Sequence, residues 1–191
     1  MATPKTTVLL FLVLLVIISP YALEAQNLTG RPVISSAFTD LSKECKNAFK
    51  KVGEGQDMPL KCKGAGQYYI YIYYSALASH ISIKSLNNTD DFIYLSPEKI
   101  DFSDQKDSKI EWRLADGKPF AVILKVSRYD DKVQDNGENP YQDQYKIGES
   151  YLVKGLKGYE SIDFEVDAKS TPSALSQARE LADAAYLKSR P

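Results

Sequence analysis

The segment Tyr68–Tyr74, Tyr-Tyr-Ile-Tyr-Ile-Tyr-Tyr, constrains the fold more than any other part of this 191-residue chain. Aromatic and β-branched residues favour strands, and successive side chains of a strand point to opposite faces of its sheet. The face that carries the two isoleucines is predicted to lie against the core. The opposite face then carries a row of tyrosines, namely Tyr69, Tyr71 and Tyr73.

Two interpretations of this tyrosine row stay open. In the first, the strand is central and a helix covers the row, so that the rings form a structural ladder contributing about 0.2–1 kcal/mol per cross-strand pair. In the second, the row is an exposed aromatic platform that stacks against a sugar, a peptide or another protein surface. The first makes Tyr69, Tyr71 and Tyr73 part of the core, and the second makes them a ligand-binding site.

The amino terminus has the pattern of an export signal. Lys5 precedes an apolar run over Val8–Ile18, and small residues suited to cleavage lie in Tyr21–Ala25. The run is shorter than the roughly 20 residues that span a bilayer, although an uncleaved anchor is the alternative. The sequence therefore predicts a signal peptide over residues 1–25 and a single secreted domain over residues 26–191. The expected location is extracytoplasmic, periplasmic or fully secreted, with membrane contact only through the signal segment before cleavage.

Cys45 and Cys62 are the two cysteines of the chain. In an exported protein an isolated even pair predicts a disulfide rather than a redox or metal site. Closing a loop of this size is expected to stabilise the fold by about 3 kcal/mol in the chain-entropy model.

Short strands separated by turns account for most of the remaining chain. Asp40–Lys51 is ambiguous between a helix and an edge segment, and Asp130–Gly148 is predicted to be a long polar loop. Ile81 and Ile83 are expected on one face of their strand, with the sole histidine, His80, on the polar face. The other predicted strands are Val33–Phe38, Ser79–Leu86, Phe92–Leu95, Tyr151–Val153 and Tyr159–Val166.

The clearest hairpin is Lys109–Val126, in which Asp116-Gly117 is the favoured two-residue turn. Folding at this turn sets a cross-strand register that places apolar residues opposite one another on one face. The predicted pairs are Trp112–Ala121 and Ile110–Ile123 on that face, with Arg113–Phe120 and Glu111–Val122 on a mixed, partly exposed face.

The carboxy-terminal segment changes from period two to helical periodicity. Thr171 can cap a helix and Pro172 suits its first position. The apolar positions that recur at helical spacing are Leu175, Ala178, Leu181, Ala182 and Ala185. The predicted fold class is therefore α+β: a mainly antiparallel β-sheet, sandwich-like or partly open and barrel-like, with one amphipathic carboxy-terminal helix packed on it.

A series of landmarks follows Cys45 in the chain: Cys62-Lys-Gly-Ala-Gly-Gln-Tyr68, Glu111-Trp-Arg113 and Gly117-Lys-Pro-Phe-Ala-Val-Ile123. In this order the chain resembles a loosely defined group of small exported bacterial proteins without an assigned function. The resemblance implies a bacterial extracytoplasmic protein and adds no chemistry. Members have Gly-Gly-Tyr where Gly66-Gln67-Tyr68 stands here, and an Asp-x-Arg pair where this chain has Ala76 and Ala78.

The sequence offers little that favours catalysis. The net charge is −1 and no basic stripe is present, which excludes nucleic acid as the expected partner. No cofactor motif is found, and His80 lacks the partners that a catalytic triad needs. The weak calcium candidate is Asp130, Asp131 and Asp135, for which a solvated loop is the competing interpretation. Glu111 is the acid that draws most attention, and it is expected to pair with a cross-strand base or with Arg113.

Together these features predict a non-enzymatic secreted or periplasmic protein that is associated with the cell envelope and binds a glycan or a protein. Two alternatives stay open. One is a small secreted hydrolase that works through carboxylates, which would need two converging acids in a pocket. The other is an inhibitor of a cell-wall-degrading enzyme, by analogy with small exported β-barrel lysozyme inhibitors, using the loop Asp130–Gly148.

Overall fold

The computed structural model describes residues 30–47, 59–74, 79–86, 88–95, 109–130, 141–168 and 173–189. The chain divides into a unit of residues 1–31 and a compact unit of residues 32–191, and all of the described strands and helices lie in the second. The predicted signal peptide over residues 1–25 and its cleavage lie outside the described residues.

The described strands form two antiparallel sheets of five strands each. Sheet A has the order β1-β7-β8-β9-β10, and its strands are Ile34–Asp40, Lys109–Ala115, Lys118–Tyr129, Lys146–Gly155 and Asp163–Asp167. Sheet B has the order β2-β3-β4-β5-β6, and its strands are Lys46–Asn47, Leu60–Lys63, Tyr68–Tyr74, Ser79–Ser85 and Asn88–Tyr94. A short helix, α1 (Leu41–Glu44), links β1 to β2, and α2 (Ala174–Ser189) follows β10.

Three layers result from two hydrophobic clusters. The first cluster lies between the sheets and joins Ile70, Ile72, Ile81 and Ile83 of sheet B to residues of sheet A such as Trp112. The second lies on the other side of sheet A, where Ala174, Ala178, Ala182 and Tyr186 of α2 are buried. The order of layers is sheet B, sheet A and then α2, which confirms the α+β class, with two separate sheets instead of a closed barrel.

The predicted faces of the tyrosine strand are confirmed. Ile70 and Ile72 are 0% and 2% exposed within the inter-sheet cluster. The ring of Tyr68 lies 6.0 Å from that of Trp112 on the same side. The Trp112 indole donates to the Thr39 hydroxyl at 3.0 Å, and this hydroxyl donates to the carbonyl of Lys63 at 3.2 Å, so a polar link also joins the two sheets.

The predicted hairpin and its turn are confirmed, but the four predicted cross-strand pairs are wrong. Asp116 and Gly117 form the turn with φ of 49° and 75°, and Leu114 lies opposite Pro119. A β-bulge then shifts the pairing by one residue. The observed pairs are Arg113–Ala121, Trp112–Val122, Glu111–Ile123 and Ile110–Leu124.

The bulge has a packing reason. It places two consecutive residues, Phe120 and Ala121, on the helix side of sheet A, which regular alternation cannot do. Phe120 packs against Tyr186 of α2 at a ring distance of 4.4 Å. Because α2 covers this side, Glu111 and Arg113 are buried, and the prediction of a partly exposed face is wrong.

Other predicted boundaries are corrected by the structure. The loop predicted over Asp130–Gly148 is shorter, because β9 begins at Lys146 and extends the β8–β9 ladder; residues 131–140 lie outside the described residues. Tyr159 lies in a tight turn after Gly155, so the last strand begins at Asp163. The strand Leu60–Lys63 was not predicted.

The disulfide between Cys45 and Cys62 is confirmed, with a sequence separation of 17. It connects the residue after α1 to β3, and so ties a segment attached to sheet A to sheet B. Replacing both cysteines by alanine is expected to lower the free energy of unfolding by about 3 kcal/mol, because the unfolded chain regains the entropy of the open loop. Urea denaturation measures this value.

The control for the disulfide prediction is reduction. A reducing agent should destabilise the wild type to the same extent and leave the alanine variant unchanged. An alanine variant as stable as the oxidised wild type would contradict the expectation.

A close approach to the core explains the glycine at position 64. A Cβ placed there would lie 2.5 Å from Trp112 Cζ2 and 2.8 Å from the carbonyl oxygen of Tyr68. Gly64→Ala is therefore expected to destabilise the protein by about 1–3 kcal/mol, since the indole must move. The fluorescence of Trp112, the single tryptophan of the sequence, reports that movement during denaturation. The neighbouring Ala65→Gly variant serves as control, with an expected loss below about 1 kcal/mol; equal stability of the two variants would refute this account.

Candidate functional site

The tyrosine row lies on the side of sheet B that faces away from the inter-sheet core. Antiparallel pairing places Tyr69 opposite Lys84, Tyr71 opposite Ser82 and Tyr73 opposite His80 on β5. On the other side of β4, Tyr71 lies opposite Lys61 of β3. We call the surface formed by Lys61, Tyr69, Tyr71, Tyr73, His80 and Lys84 the tyrosine face.

Helix α2 does not cover the tyrosine face. Its buried residues all belong to the cluster on sheet A, so the interpretation in which the helix packs over the tyrosines is wrong. Tyr69 and Tyr71 are half-buried, and Tyr73 is 36% exposed. The three predicted ligand-binding residues therefore lie together on one surface with partial access to solvent.

Lysines lie against the rings of the tyrosine face. Lys61 Nζ is 3.8 Å from the ring centroid of Tyr69 and 5.4 Å from that of Tyr71, while Lys84 Nζ is 5.3 Å from Tyr71. These distances fit cation–π contacts, each contributing about 0.5–1 kcal/mol at exposed positions. Tyr71 also stacks on Tyr73 with centroids 6.3 Å apart and planes at 21°. The surface combines ammonium groups and phenol hydroxyls with partly covered rings.

The charge of this part of sheet B has one sign. The four described strands β2–β5 contain Lys46, Lys61, Lys63 and Lys84 and no aspartate or glutamate. Register places Lys46 opposite Lys61, so the lysines of β2 and β3 share the side of the tyrosine face. A chain with net charge −1 therefore carries a local concentration of positive charge that its composition hides.

A buried hydroxyl lies in the same region. Ser82, opposite Tyr71, is 1% exposed, and within the described part of the chain its Oγ has no hydrogen-bond partner. A buried hydroxyl without a partner costs about 1–3 kcal/mol, and Ser150 of sheet A shares this feature, so it does not single out the tyrosine face.

The second candidate is a cluster of charges between sheet A and α2. Glu111 and Arg113 project from β7 towards Arg179 and Asp183 of the helix. Arg179 Nε and Nη2 donate to the two oxygens of Glu111, each at 2.8 Å, and Arg113 donates to Asp183 at 3.0 and 2.6 Å. Two residues along the strand span about the same distance as four along the helix. Two bidentate ion pairs therefore form side by side, one with its acid on the strand and the other with its acid on the helix; we call them the crossed ion pairs.

Further contacts tie the two pairs together. Ser36 of β1 donates to Glu111 Oε1 at 2.6 Å and accepts a hydrogen bond from Arg113 Nη1. Arg113 Nη1 also lies 3.3 Å from Glu111 Oε1, so the expected pairing of Glu111 with Arg113 is confirmed. The principal partner, Arg179, was missed because it is distant in sequence.

The pKa of Glu111 reflects these partners. Burial alone would raise the pKa of this carboxyl, but the hydrogen bonds from Arg179 and Ser36 and the charges of both arginines outweigh burial and hold it below its usual value. Glu111 is therefore an anion at neutral pH and does not serve as a proton donor.

A groove of about 210 Å³ lies beside Glu111, between the start of α2 and sheet A. Its lining residues include Phe38, Lys109, Glu111, Lys125, Tyr151 and Leu175. The carboxylate of Glu111 is held by Arg179, and Lys125 pairs with Glu149 at 2.7 Å. Two of the charged groups that line the groove, Glu111 and Lys125, are thus engaged in structural ion pairs.

The predicted calcium candidate receives no support from the described residues. Asp130 directly follows β8, whereas Asp131 and Asp135 lie outside the described residues. Across the described ranges, no three side chains of histidine, cysteine, aspartate or glutamate gather where they could hold a metal ion. Ala76 and Ala78, which replace the Asp-x-Arg pair in the resemblance, also lie outside these ranges.

Comparison with known proteins identifies no relative: no protein-family model, no curated protein and no solved structure matches the chain. The resemblance to small exported bacterial proteins therefore stays a prediction. Among the described residues, no helix is both long enough and apolar enough to cross a bilayer.

The charge cluster generates a pH prediction. The folded-state pKa of Glu111 lies below its unfolded value of about 4.3, so its stabilisation is fully present above that pH and is lost as the pH falls through the folded pKa. Glu111→Gln removes the acid that pairs with the partly exposed Arg179, whereas Arg113 keeps Asp183, so the change should cost about 2 kcal/mol at neutral pH. The difference from wild type should shrink in urea denaturation at about pH 3.

A matched control is Glu149→Gln, which removes a less buried carboxylate whose pKa Lys125 and Lys146 lower. Its expected cost is below about 1 kcal/mol. A Glu111→Gln variant as stable as wild type at neutral pH would show that the crossed ion pairs do not hold the helix.

Proposed function

We propose that this chain is a non-enzymatic secreted or periplasmic binding protein of the cell envelope, and that it binds a glycan through the tyrosine face. The observation that carries the proposal is the placement of Tyr69, Tyr71 and Tyr73 on one surface that α2 leaves uncovered. The predicted signal peptide and the disulfide support an oxidising, extracytoplasmic location.

The chemistry of the tyrosine face suits a carbohydrate. Phenol rings offer apolar area, and the tyrosine hydroxyls and lysine ammonium groups can hydrogen-bond sugar hydroxyls. The face lies on paired strands, so its backbone is already ordered when a ligand binds. A surface on the outer side of a sheet favours an extended polymer over a small enclosed substrate.

The hydrolase alternative finds less support. Glu111 is held as an anion by Arg179, and Asp183 is engaged by Arg113, so neither is placed as a proton donor beside a second free carboxylate. Retaining and inverting glycosidases both need such a pair. The inhibitor alternative depends on the loop Asp130–Gly148, most of which lies outside the described residues or in β9.

The proposed binding is tested with Tyr73→Ala, which removes the most exposed ring of the row. The variant should bind envelope polysaccharide about fivefold more weakly, because one aromatic contact contributes about 1 kcal/mol. The measurement is the half-saturation concentration in a polysaccharide pull-down, with the thermal midpoint recorded to establish that the variant is folded.

Phe38→Ala is the matched control, since Phe38 is a 56% exposed aromatic residue on sheet A, and its binding should equal that of wild type. The proposal is wrong if wild type retains no glycan, or if folded Tyr71→Ala and Tyr73→Ala variants both bind as wild type does.

A further inference from the structure

We infer that the ligand of the tyrosine face is an acidic polysaccharide, recognised mainly through its repeated negative charges. This inference rests on the proposed function and narrows it to one class of glycan. It is carried by two observations, the position of lysine ammonium groups on the tyrosine rings and the positive charge of strands β2–β5.

The first observation limits how the tyrosine rings can contact a ligand. Lys61 Nζ lies 3.8 Å from the centroid of Tyr69, within cation–π distance of that ring. Tyr71 has a lysine ammonium group at 5.4 Å and another at 5.3 Å, and its ring stacks on Tyr73. An apolar sugar face competes with the ammonium group of Lys61 for the ring of Tyr69. Tyr69 and Tyr71 therefore position lysines that meet the ligand, while Tyr73 adds the aromatic contact of the proposed function.

The second observation concerns the spacing of the lysines on sheet B and the positive sign of their charge. Lys61 and Lys63 are two residues apart on β3, a separation of about 7 Å along the strand. Lys46 lies beside them on β2, and Lys84 lies across the tyrosine row on β5. A chain of anionic sugar units presents charges at repeated intervals to these lysines. A neutral glycan has no charges that could form ion pairs with them.

The described strands β2–β5 carry no carboxylate, and the aspartates of sheet B, Asp90 and Asp91, lie on its edge strand β6. Lysines that bind a polyanion release the small cations condensed on it, so the affinity should fall steeply with salt. Single-stranded nucleic acid shares this electrostatic chemistry, but the predicted export and the disulfide favour a polymer found outside the cytoplasm.

The experiment compares charged and neutral forms of the same backbone. Wild-type protein is titrated with polygalacturonate and its methyl ester, and with dextran sulfate and dextran, at low and at physiological salt. At least one acidic polymer should bind about tenfold more tightly than its neutral counterpart at low salt, and the preference should diminish as salt is added. The pair with the larger preference distinguishes a carboxylate ligand from a sulfate ligand.

The charge-removing variant is Lys61→Gln combined with Lys84→Gln. It should weaken binding of the acidic polymer about tenfold, leave the neutral polymer unchanged and flatten the salt dependence. Lys43→Gln combined with Lys188→Gln removes the same number of charges from exposed positions on α1 and α2 and should bind as wild type does. Lys63→Gln changes an exposed residue of β3 opposite Tyr69 and gives a second readout if the first variant unfolds; its smaller loss should also be confined to the acidic polymer.

The outcomes separate this inference from the proposed function. Equal affinity for both forms of each polymer, with a loss of both on Tyr73→Ala, would overturn the charge inference and support glycan binding. Binding that Tyr71→Ala and Tyr73→Ala leave unchanged for every polymer would overturn both. Tighter binding of oligodeoxythymidylate or of anionic phospholipid vesicles than of either acidic polymer would overturn the assignment to a glycan.

Discussion

The docking of α2 on sheet A decides which surfaces of this protein are core and which are open. Crossed ion pairs join Glu111 and Arg113 of the strand to Arg179 and Asp183 of the helix, and small alanines let the helix approach the sheet closely. Because the only described long helix is committed to that side, the tyrosine face of sheet B is left without a helical cover. The candidate site is thus a consequence of packing elsewhere in the fold.

The buried charges beneath α2 determine the position of the helix on the sheet more than they contribute to the free energy of folding. Buried ion pairs often add little free energy over a well-packed apolar core, whereas an unmatched buried charge is costly. The apolar stripe of α2 consists mainly of alanines, which would fit many rotations and translations of the helix. A bidentate match between Arg179 and Glu111 is satisfied in one arrangement, so it selects that arrangement among several of similar hydrophobic burial.

Local patterns predicted the tyrosine strand and the carboxy-terminal helix, but they missed strand β3 and the start of β9, and long-range pairing was not predicted. Alternation in Tyr68–Tyr74 and helical spacing after Ala174 each depend on neighbours in sequence, and both predictions are confirmed. Sequence offers no means to tell which sheet the helix covers, because Glu111 and Arg179 are 68 residues apart. The lysines of the tyrosine face were missed for the same reason. Lys61 and Lys84 become neighbours of one ring only through strand pairing, and a search for a continuous basic run does not find them.

The bulge in β8 has a bearing on how the chain tolerates changes of length. Phe120 is the unpaired residue of the bulge, so its deletion would restore regular pairing and keep Val122 and Leu124 directed towards sheet B. Loss of a residue farther along β8 would instead exchange inward and outward side chains unless the irregularity migrated to absorb it. Phe120, which packs against Tyr186, is therefore a position at which an evolving or engineered version of this strand could lose one residue without exchanging its inward and outward faces.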